Sequence, residues 1–287
     1  MRRLSFKGLL LSIVLLIGCV DADPIVEIPV TNKDTRASLT ILSEVISSFD
    51  IVQDVVSSSD FFLKKYESLL PNGVVFIPID SSYTDGDGVE LLLDFGELGE
   101  MPHGLLCKDE KYRAGLIKFS LNRPYNETDA VLTIDYPTEN PFYSGDGSIM
   151  SKFNGKLKLS RISDDEVKLS CSNLNITRED VIHNVVSNLS IRSIKDIGIG
   201  LVNDELSYSG EITVSTDNSH IDFETTEPLL KFYTLDCAKH IVKGKLDVKS
   251  SATKELITEV DFDPYMDSAC DNEVSITSGG KSVIFKY

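Results

Sequence analysis

The sequence contains no tryptophan and few cations, with 28 lysines and arginines against 45 aspartates and glutamates. The absence of tryptophan counts against a sugar-stacking platform, although ten tyrosines and thirteen phenylalanines can serve the same purpose. The formal net charge of −17 repels phosphate backbones and anionic lipid headgroups. Nucleic acid is therefore not expected as a partner.

Sequence motifs of catalysis are also missing. The chain has no HExxH, no paired-cysteine spacing, no GxSxG, no P-loop and no GxGxxG. Zinc, serine-hydrolase and nucleotide chemistry therefore lack their local signatures. The histidines are scattered and are expected to be surface or partly buried polar residues: His103, His183, His220 and His240. We predict no catalytic residue, no metal site and no cofactor.

The one long hydrophobic run lies at the N-terminus. Arg2, Arg3 and Lys7 precede residues 8–17, which are apolar except for one serine, and a small glycine follows. A charged start, a short apolar run and a small residue are typical of a secretory signal peptide. About 20 residues are needed to span a bilayer as a helix, so the run is too short for a transmembrane segment. Residues 1–18 are therefore predicted to be a signal peptide.

The signal ends in "LIGC", which resembles the bacterial lipobox. In that motif the cysteine, here Cys19, carries thiol-linked fatty acid (palmitate) and becomes the new N-terminus; the alternative is an ordinary secretory signal with an accidental cysteine. Removing residues 1–18 takes away three cations and no anions, which changes the net charge from −17 to −20. Val20 stands where an aspartate would retain a lipoprotein at the inner membrane. The prediction is a lipid anchor at Cys19 in the outer membrane, facing either the periplasm or the outside.

The next two segments differ in pattern. Residues 19–38 are polar or interrupted by proline, without a periodic apolar face, and are interpreted as a lipidated tether. Residues 39–71 contain apolar side chains at spacings of three and four, such as Leu42, Val45, Ile46 and Phe49. This spacing predicts one or two amphipathic helices there.

From residue 72 onward the pattern is that of β-strands. Four alternating segments begin with glycine, at Gly115, Gly155, Gly210 and Gly244, and each is followed by a polar turn and a second strand-like run. A final hairpin is predicted to turn at Ser278 and Gly279.

The fold class is therefore mainly β, with antiparallel hairpins in a sandwich-like or two-unit architecture. Residues 72–176 are assigned to a first β unit and residues 205–287 to a second. The connection, 177–204, is expected to contain a short helix over about 178–187.

An acidic stretch between the first two strands has some features of a calcium-binding loop. Tyr83 to Asp94 contains Asp85 and Asp87 before Gly88. The first ligand position is a tyrosine, and the flanking residues are strand-like rather than helical. A hairpin turn is favoured over a metal site.

Four cysteines remain if Cys19 is acylated, and they suit an oxidising compartment. The strands "GKLDVK" and "LITEVDF" should form a hairpin in which the numbers of opposed residues add up to about 506. Cys237 and Cys270 add up to 507, which predicts a disulfide between them. Cys107 and Cys171 then pair with each other or stay reduced; the alternative is four buried apolar thiols.

One region resembles a family of secreted or lipid-anchored β-rich proteins from Bacteroidota. Its pattern is DFG, cysteine, an aspartate turn, a basic residue and glycine, matched here by Asp94, Phe95, Gly96, Cys107, Asp109, Arg113 and Gly115. The C-terminal "VDFD…ACDN" is similar to the closing part of the pattern, with Asp263 where glycine is expected. The resemblance implies a β-rich lipoprotein and no activity. In this lineage "DSA" is similar to an O-glycosylation acceptor, which would modify Ser268.

Two functions from different classes follow. The first is a cell-envelope lipoprotein whose β module is a non-catalytic binding or structural unit, with a glycan or an envelope protein as partner. The second is an envelope hydrolase of glycosidase type. Such an enzyme needs only two facing carboxylates, which could lie among the many acidic residues.

Overall fold

The computed structural model describes residues 30–57, 68–196, 200–251 and 257–286. The predicted signal peptide, Cys19, and the apolar residues 61–63 lie outside these ranges. The described chain is mainly β, as predicted, with one α-helix near the N-terminus followed by antiparallel strands.

The elements have the following bounds: α1 Val30–Ser57, β1 Val75–Asp80, β2 Val89–Asp94, β3 Leu105–Leu106, β4 Tyr112–Ala114, β5 Leu116–Leu121, β6 Val131–Tyr136, β7 Tyr143–Gly145, β8 Met150–Arg161, β9 Glu166–Arg178, β10 Val181–Lys195, β11 Glu205–Ser215, β12 His220–Phe232, β13 Lys243–Ser250, β14 Thr258–Asp261, β15 Glu273–Ser278 and β16 Lys281–Lys286. They form a single sheet in the order β1-β2-β5-β6-β8-β9-β10-β11-β12-β13-β14-β15-β16, and β3, β4 and β7 form a branch that joins β8. The two predicted β units are thus parts of one continuous sheet.

Helix α1 begins earlier than the sequence suggested. It starts at Val30, within the segment interpreted as a tether, and Thr35 and Ser38 are already buried. The sequence has no glycine or proline within α1, so no helix breaker interrupts it between Val30 and Ser57. The predicted helix is therefore present, but it is longer at its N-terminal side, and it is buried on nearly all sides rather than amphipathic.

The sheet curves around α1. Tyr136 on β6 donates a hydrogen bond to Ser48 on one side of the helix, and Tyr208 on β11 donates one to Asp50. Strands β6 and β11 are four positions apart in the sheet, which corresponds to about 19 Å in a flat sheet. Side chains from both strands can reach neighbouring residues of α1 only if the sheet bends around the helix. Helix α1 therefore lies in the core of the protein.

The four glycine-led segments mark where neighbouring backbones come close. Each glycine has a positive φ angle, and a Cβ atom on any of them would lie within 2.5 Å of a carbonyl oxygen on an adjacent segment. At Gly210, inside β11, the pairing register with β12 shifts between Tyr208 and Glu211. Such irregularities increase local bending of a strand. The repeat seen in the sequence therefore helps to fit a long sheet around a helix.

The short helix expected over about 178–187 is absent, and this prediction was wrong. Glu179 and Asp180 have φ angles of 49° and 63° and form a two-residue turn between β9 and β10. From His183 onward alternate side chains of β10 are buried, as in a strand with one interior face. The β-branched and alternating pattern of "VIHNVVSNLSI" outweighs the helical spacing of a few of its residues.

The predicted hairpins are confirmed, including the last one, β15–β16, in which Ser278 pairs with Lys281. In β13–β14 the numbers of paired residues add up to 506 at all four pairs, as predicted. The predicted disulfide joins Cys237 and Cys270, whose Cα atoms lie 5.0 Å apart. Both cysteines lie in turns beyond the ends of the strands, so the hairpin brings their loops together.

Candidate functional site

The region between α1 and the sheet contains several buried ion pairs. Arg113 on β4 is fully buried, and its guanidinium donates hydrogen bonds to both carboxylate oxygens of Asp109 and to the Ser47 hydroxyl. Burial alone would raise the pKa of Asp109, but the charge and hydrogen bonds of Arg113 outweigh it and hold that pKa below its usual range. Asp109 and Arg113 therefore attach a loop and β4 to the helix.

A second buried cluster is centred on Asp50. The ammonium nitrogen of Lys231 lies 2.7 Å from one carboxylate oxygen, and the Tyr208 hydroxyl lies 3.1 Å from the other. The hydroxyl groups of Tyr208 and Tyr233 are also hydrogen-bonded to each other. Burial raises the pKa of both tyrosines well above the usual value, so they remain neutral donors beside the carboxylate.

Two further acidic residues of α1 have partners of their own. Glu44 accepts a 2.8 Å hydrogen bond from the ammonium group of Lys111. Asp54 accepts hydrogen bonds from the Ser68 hydroxyl and from two backbone N–H groups, of Leu69 and Leu201, at 2.6 to 3.0 Å. Each buried carboxylate of the helix thus joins α1 to a different part of the surrounding chain, which is a structural role.

A cavity lies beside the last two turns of α1. It has a volume of about 500 Å³ and is lined by the helix, by loops between strands and by residues of β8, β9, β10 and β11. We call it the end cavity. Its polar lining comprises Gln53, Ser57, Tyr83, Tyr125, Asn126, Arg161, Asp164, Asp165, Ser193, Asp196 and Asp204.

Three residues of the end cavity carry buried polar atoms without a hydrogen-bond partner among the described residues. These atoms are the amide oxygen of Gln53 and the hydroxyl oxygens of Tyr83 and Tyr125. Gln53 and Tyr125 are only 5% and 4% exposed. A buried polar atom without a partner lowers stability, and such atoms in native proteins call for an explanation. Their presence in one cavity makes it the candidate ligand site.

A second cavity, of about 330 Å³, opens near the first half of α1. Its charged lining is balanced, with Glu44, Glu110 and Asp146 set against Lys111, Lys239 and Arg178. Two of these pairs are direct, since Lys111 contacts Glu44 and Lys239 contacts Glu110. Most of its charges are therefore already neutralised within the protein.

The acidic loop forms the hairpin turn that was favoured, between β1 and β2. Asp80, Asp85 and Asp87 have carboxylate oxygens within 4.8 Å of one another. A hydrogen bond and the negative charge of Asp85 raise the pKa of Asp87. Asp94, at the twelfth place of the calcium-like pattern, instead accepts a hydrogen bond from the backbone of Gly96. The calcium-like pattern in the sequence therefore does not bring all of its acidic residues together, because Asp94 is not part of the group formed by Asp80, Asp85 and Asp87.

Cys107 and Cys171 are free and buried, so the second disulfide is not formed. Cys107 follows β3, whereas the Cys171 thiol on β9 contacts the Ser187 hydroxyl and the carbonyl of Val185 on β10. Burial raises the pKa of Cys107 to about 11, which keeps it an inert thiol. Of the two outcomes left open for these residues, the reduced one is observed.

The remaining predicted residues are dispersed. Ser268 lies in the loop before Cys270, where its backbone N–H donates to Asp263. Among the histidines, His240 lines the second cavity, and burial lowers its pKa to about 4. His183 is buried on β10 and its pKa is also lowered by burial. The structure does not bring these residues together into a catalytic group.

Comparison with known proteins gives no family model, no curated protein and no solved structure that matches this chain. Within the described residues, no helix is both long enough and apolar enough to cross a membrane.

The end cavity and the ion pairs were not predicted from the sequence. One signal was available: "LTILSEVISSFDIVQDVV" is apolar on nearly every side of a helix, and such a helix is buried. Its acidic residues must then be buried too, which requires cationic or hydrogen-bonding partners. The partners themselves are up to 181 residues away in the chain.

Proposed function

We propose that this protein is a lipid-anchored protein of the bacterial outer membrane whose β module binds a ligand without chemically changing it. The anchor is supported by the charged and apolar N-terminal run that ends in "LIGC". A disulfide between Cys237 and Cys270 agrees with folding in an oxidising compartment such as the periplasm.

The observation that carries the binding function is the end cavity. Its volume of about 500 Å³ falls in the range of about 300 to 1,000 Å³ that is usual for small-molecule sites. Its lining combines apolar residues with a few buried polar atoms that have no partner within the described chain. A ligand that supplied those hydrogen bonds would remove their cost, which makes binding favourable.

The hydrolase remains the second candidate, because four aspartates line the same cavity. A general acid at neutral pH needs a carboxyl group with a raised pKa. Asp54 and Asp87 have raised pKa values, and neither lines the end cavity. In Asp165, which does, a hydrogen bond from Ser163 lowers the pKa. Asp165 therefore does not suit the role of a general acid in this cavity.

The anchor is tested by metabolic labelling with an alkyne fatty acid, followed by fractionation of the cells. We expect the wild-type chain to carry the label and to sediment with outer membranes. Cys19→Ser should lose the label, whereas Cys171→Ala, which removes a buried thiol from β9, should keep it. Label that persists on Cys19→Ser, or a wild-type chain without label, would contradict the lipid anchor.

A further inference from the structure

We propose that the end cavity binds a neutral, polyhydroxylated ligand of the pyranose sugar class, held by Gln53, Tyr83 and Tyr125. The inference rests on the proposed binding function and specifies its ligand. It follows from three features of the lining: the charges, the way Arg161 is held, and the chemistry of the atoms without partners.

The charges of the lining oppose anionic ligands. Four aspartates, Asp164, Asp165, Asp196 and Asp204, line the cavity, against a single arginine. A concave site with an excess of one charge repels ligands of the same sign. Phosphorylated, sulfated and carboxylated compounds are therefore disfavoured.

Arg161 occupies the position that a cationic ligand would need. Its guanidinium carbon lies 4.7 Å from the centre of the Tyr125 ring, and cations bind to tyrosine over that same surface. Its N–H groups donate to the backbone carbonyls of Tyr125, Ser163 and Asp164, at 2.5 to 3.3 Å. The arginine is therefore fixed in place, and its charge opposes a second cation close to Tyr125.

The atoms without partners suit hydroxyl groups. The Gln53 amide oxygen can only accept hydrogen bonds, whereas the hydroxyls of Tyr83 and Tyr125 can both donate and accept. Burial raises the pKa of both tyrosines, which keeps the hydroxyls protonated. A sugar offers adjacent hydroxyls that donate and accept at once. All three protein atoms are neutral, so their pairing with hydroxyls needs no counter-charge.

The binding test is saturation-transfer NMR on the full-length protein in detergent, followed by titration calorimetry. The probes are glucose, galactose, N-acetylglucosamine, cellobiose and maltose, with glucuronate as the anionic probe and choline as the cationic probe. We expect at least one neutral sugar to bind and glucuronate and choline to give no signal. Tyr125→Phe and Gln53→Leu should each weaken that binding about tenfold, the usual effect of one lost hydrogen bond.

A matched control separates a binding role from a structural one. Tyr136→Phe also removes a buried hydroxyl, but this hydroxyl donates to Ser48 at 2.7 Å and Tyr136 does not line the end cavity. We expect Tyr136→Phe to lower the melting temperature and leave sugar affinity unchanged. Tyr125→Phe should weaken sugar binding and leave the melting temperature nearly unchanged, because its hydroxyl makes no hydrogen bond of normal geometry among the described residues and has only the Arg161 guanidinium nearby.

The outcomes separate this inference from the proposed function. Choline binding that depends on Tyr125 would overturn the sugar assignment but leave the proposed binding function in place. The absence of binding by any neutral sugar would also overturn the sugar assignment. Sugar binding that Tyr125→Phe leaves intact would overturn the assigned site. A bound sugar recovered as hydrolysed products would keep the sugar class and contradict the non-catalytic function.

Discussion

The ammonium nitrogen of Lys231 lies 2.7 Å from a carboxylate oxygen of Asp50, although 181 residues separate them in the chain. Both side chains are at most 3% exposed. The pair connects α1 to β12, and Tyr208 on β11 adds a hydrogen bond to the same carboxylate. It therefore fixes how one side of the sheet sits against the helix.

Removing one member of this pair should cost more than removing both. Lys231→Met leaves the Asp50 carboxylate buried without its cation, and we expect the free energy of unfolding to fall by about 3 to 5 kcal/mol. The double variant Asp50→Leu/Lys231→Met should recover most of that loss. Urea unfolding of the wild type, both single variants and the double variant measures the coupling. Additive losses would show that the two charges do not stabilise each other.

Glu44 should make part of the stability depend on pH. Burial would raise its pKa, but the charge and hydrogen bond of Lys111 outweigh this and lower it. A carboxyl with a lowered folded-state pKa stabilises the fold above its unfolded-state pKa, about 4.3, and loses that contribution as the pH falls further. Glu44→Gln should therefore be less stable than wild type at neutral pH, and the difference should shrink below about pH 4.

Urea unfolding of the wild type and Glu44→Gln across this pH range is the measurement. Other acidic groups affect both proteins alike, so the difference between the two curves isolates Glu44. A difference that stays constant with pH would mean that the pKa of Glu44 is the same in the folded and unfolded chains.

Gly115 should tolerate alanine poorly because of a close backbone contact. Its φ angle is +80°, and a Cβ atom would lie 1.9 Å from the carbonyl oxygen of Pro141. Gly86 has a φ angle of +94° but no atom within 4 Å of its Cβ position, so Gly86→Ala is the control for backbone strain alone. We expect Gly115→Ala to lose about 1 to 3 kcal/mol more than the control. Equal losses, measured by thermal unfolding, would argue against the contact.

The disulfide should contribute strongly to stability. Cys237 and Cys270 close a loop with a sequence separation of 33 residues, and such a loop corresponds to about 3 to 4 kcal/mol in the chain-entropy account. The double variant Cys237→Ala/Cys270→Ala should melt at a lower temperature. A reducing agent should lower the melting temperature of the wild type and leave that of the double variant unchanged. Peptide mapping without reduction that links Cys107 to either residue would contradict the pairing.

Local patterns predicted much of the fold. The register of β13–β14, and with it the disulfide, followed from the spacing of two alternating segments around one turn. The helical spacing before residue 58 likewise predicted α1. These features depend on residues that are close in sequence, where periodicity and turn chemistry act directly.

The candidate site could not be predicted in the same way. The end cavity combines Gln53 on α1, Tyr125 in the loop between β5 and β6, and Asp204 before β11. Their proximity depends on how far the whole sheet bends around the helix, which no short segment specifies. The fusion of the two predicted β units has a local cause instead: the predicted connection contains β10, which pairs with its sequence neighbours β9 and β11.

The central structural claim is that α1 is the core of the sheet and that its charges are structural. Hydrogen–deuterium exchange of the backbone amides, followed by mass spectrometry of peptides from residues 39–56, tests it most directly. The account predicts that these amides exchange as slowly as those of β8 to β12, because both open only when the whole fold unfolds. Exchange of the helix within minutes, while the sheet stays protected, would contradict it.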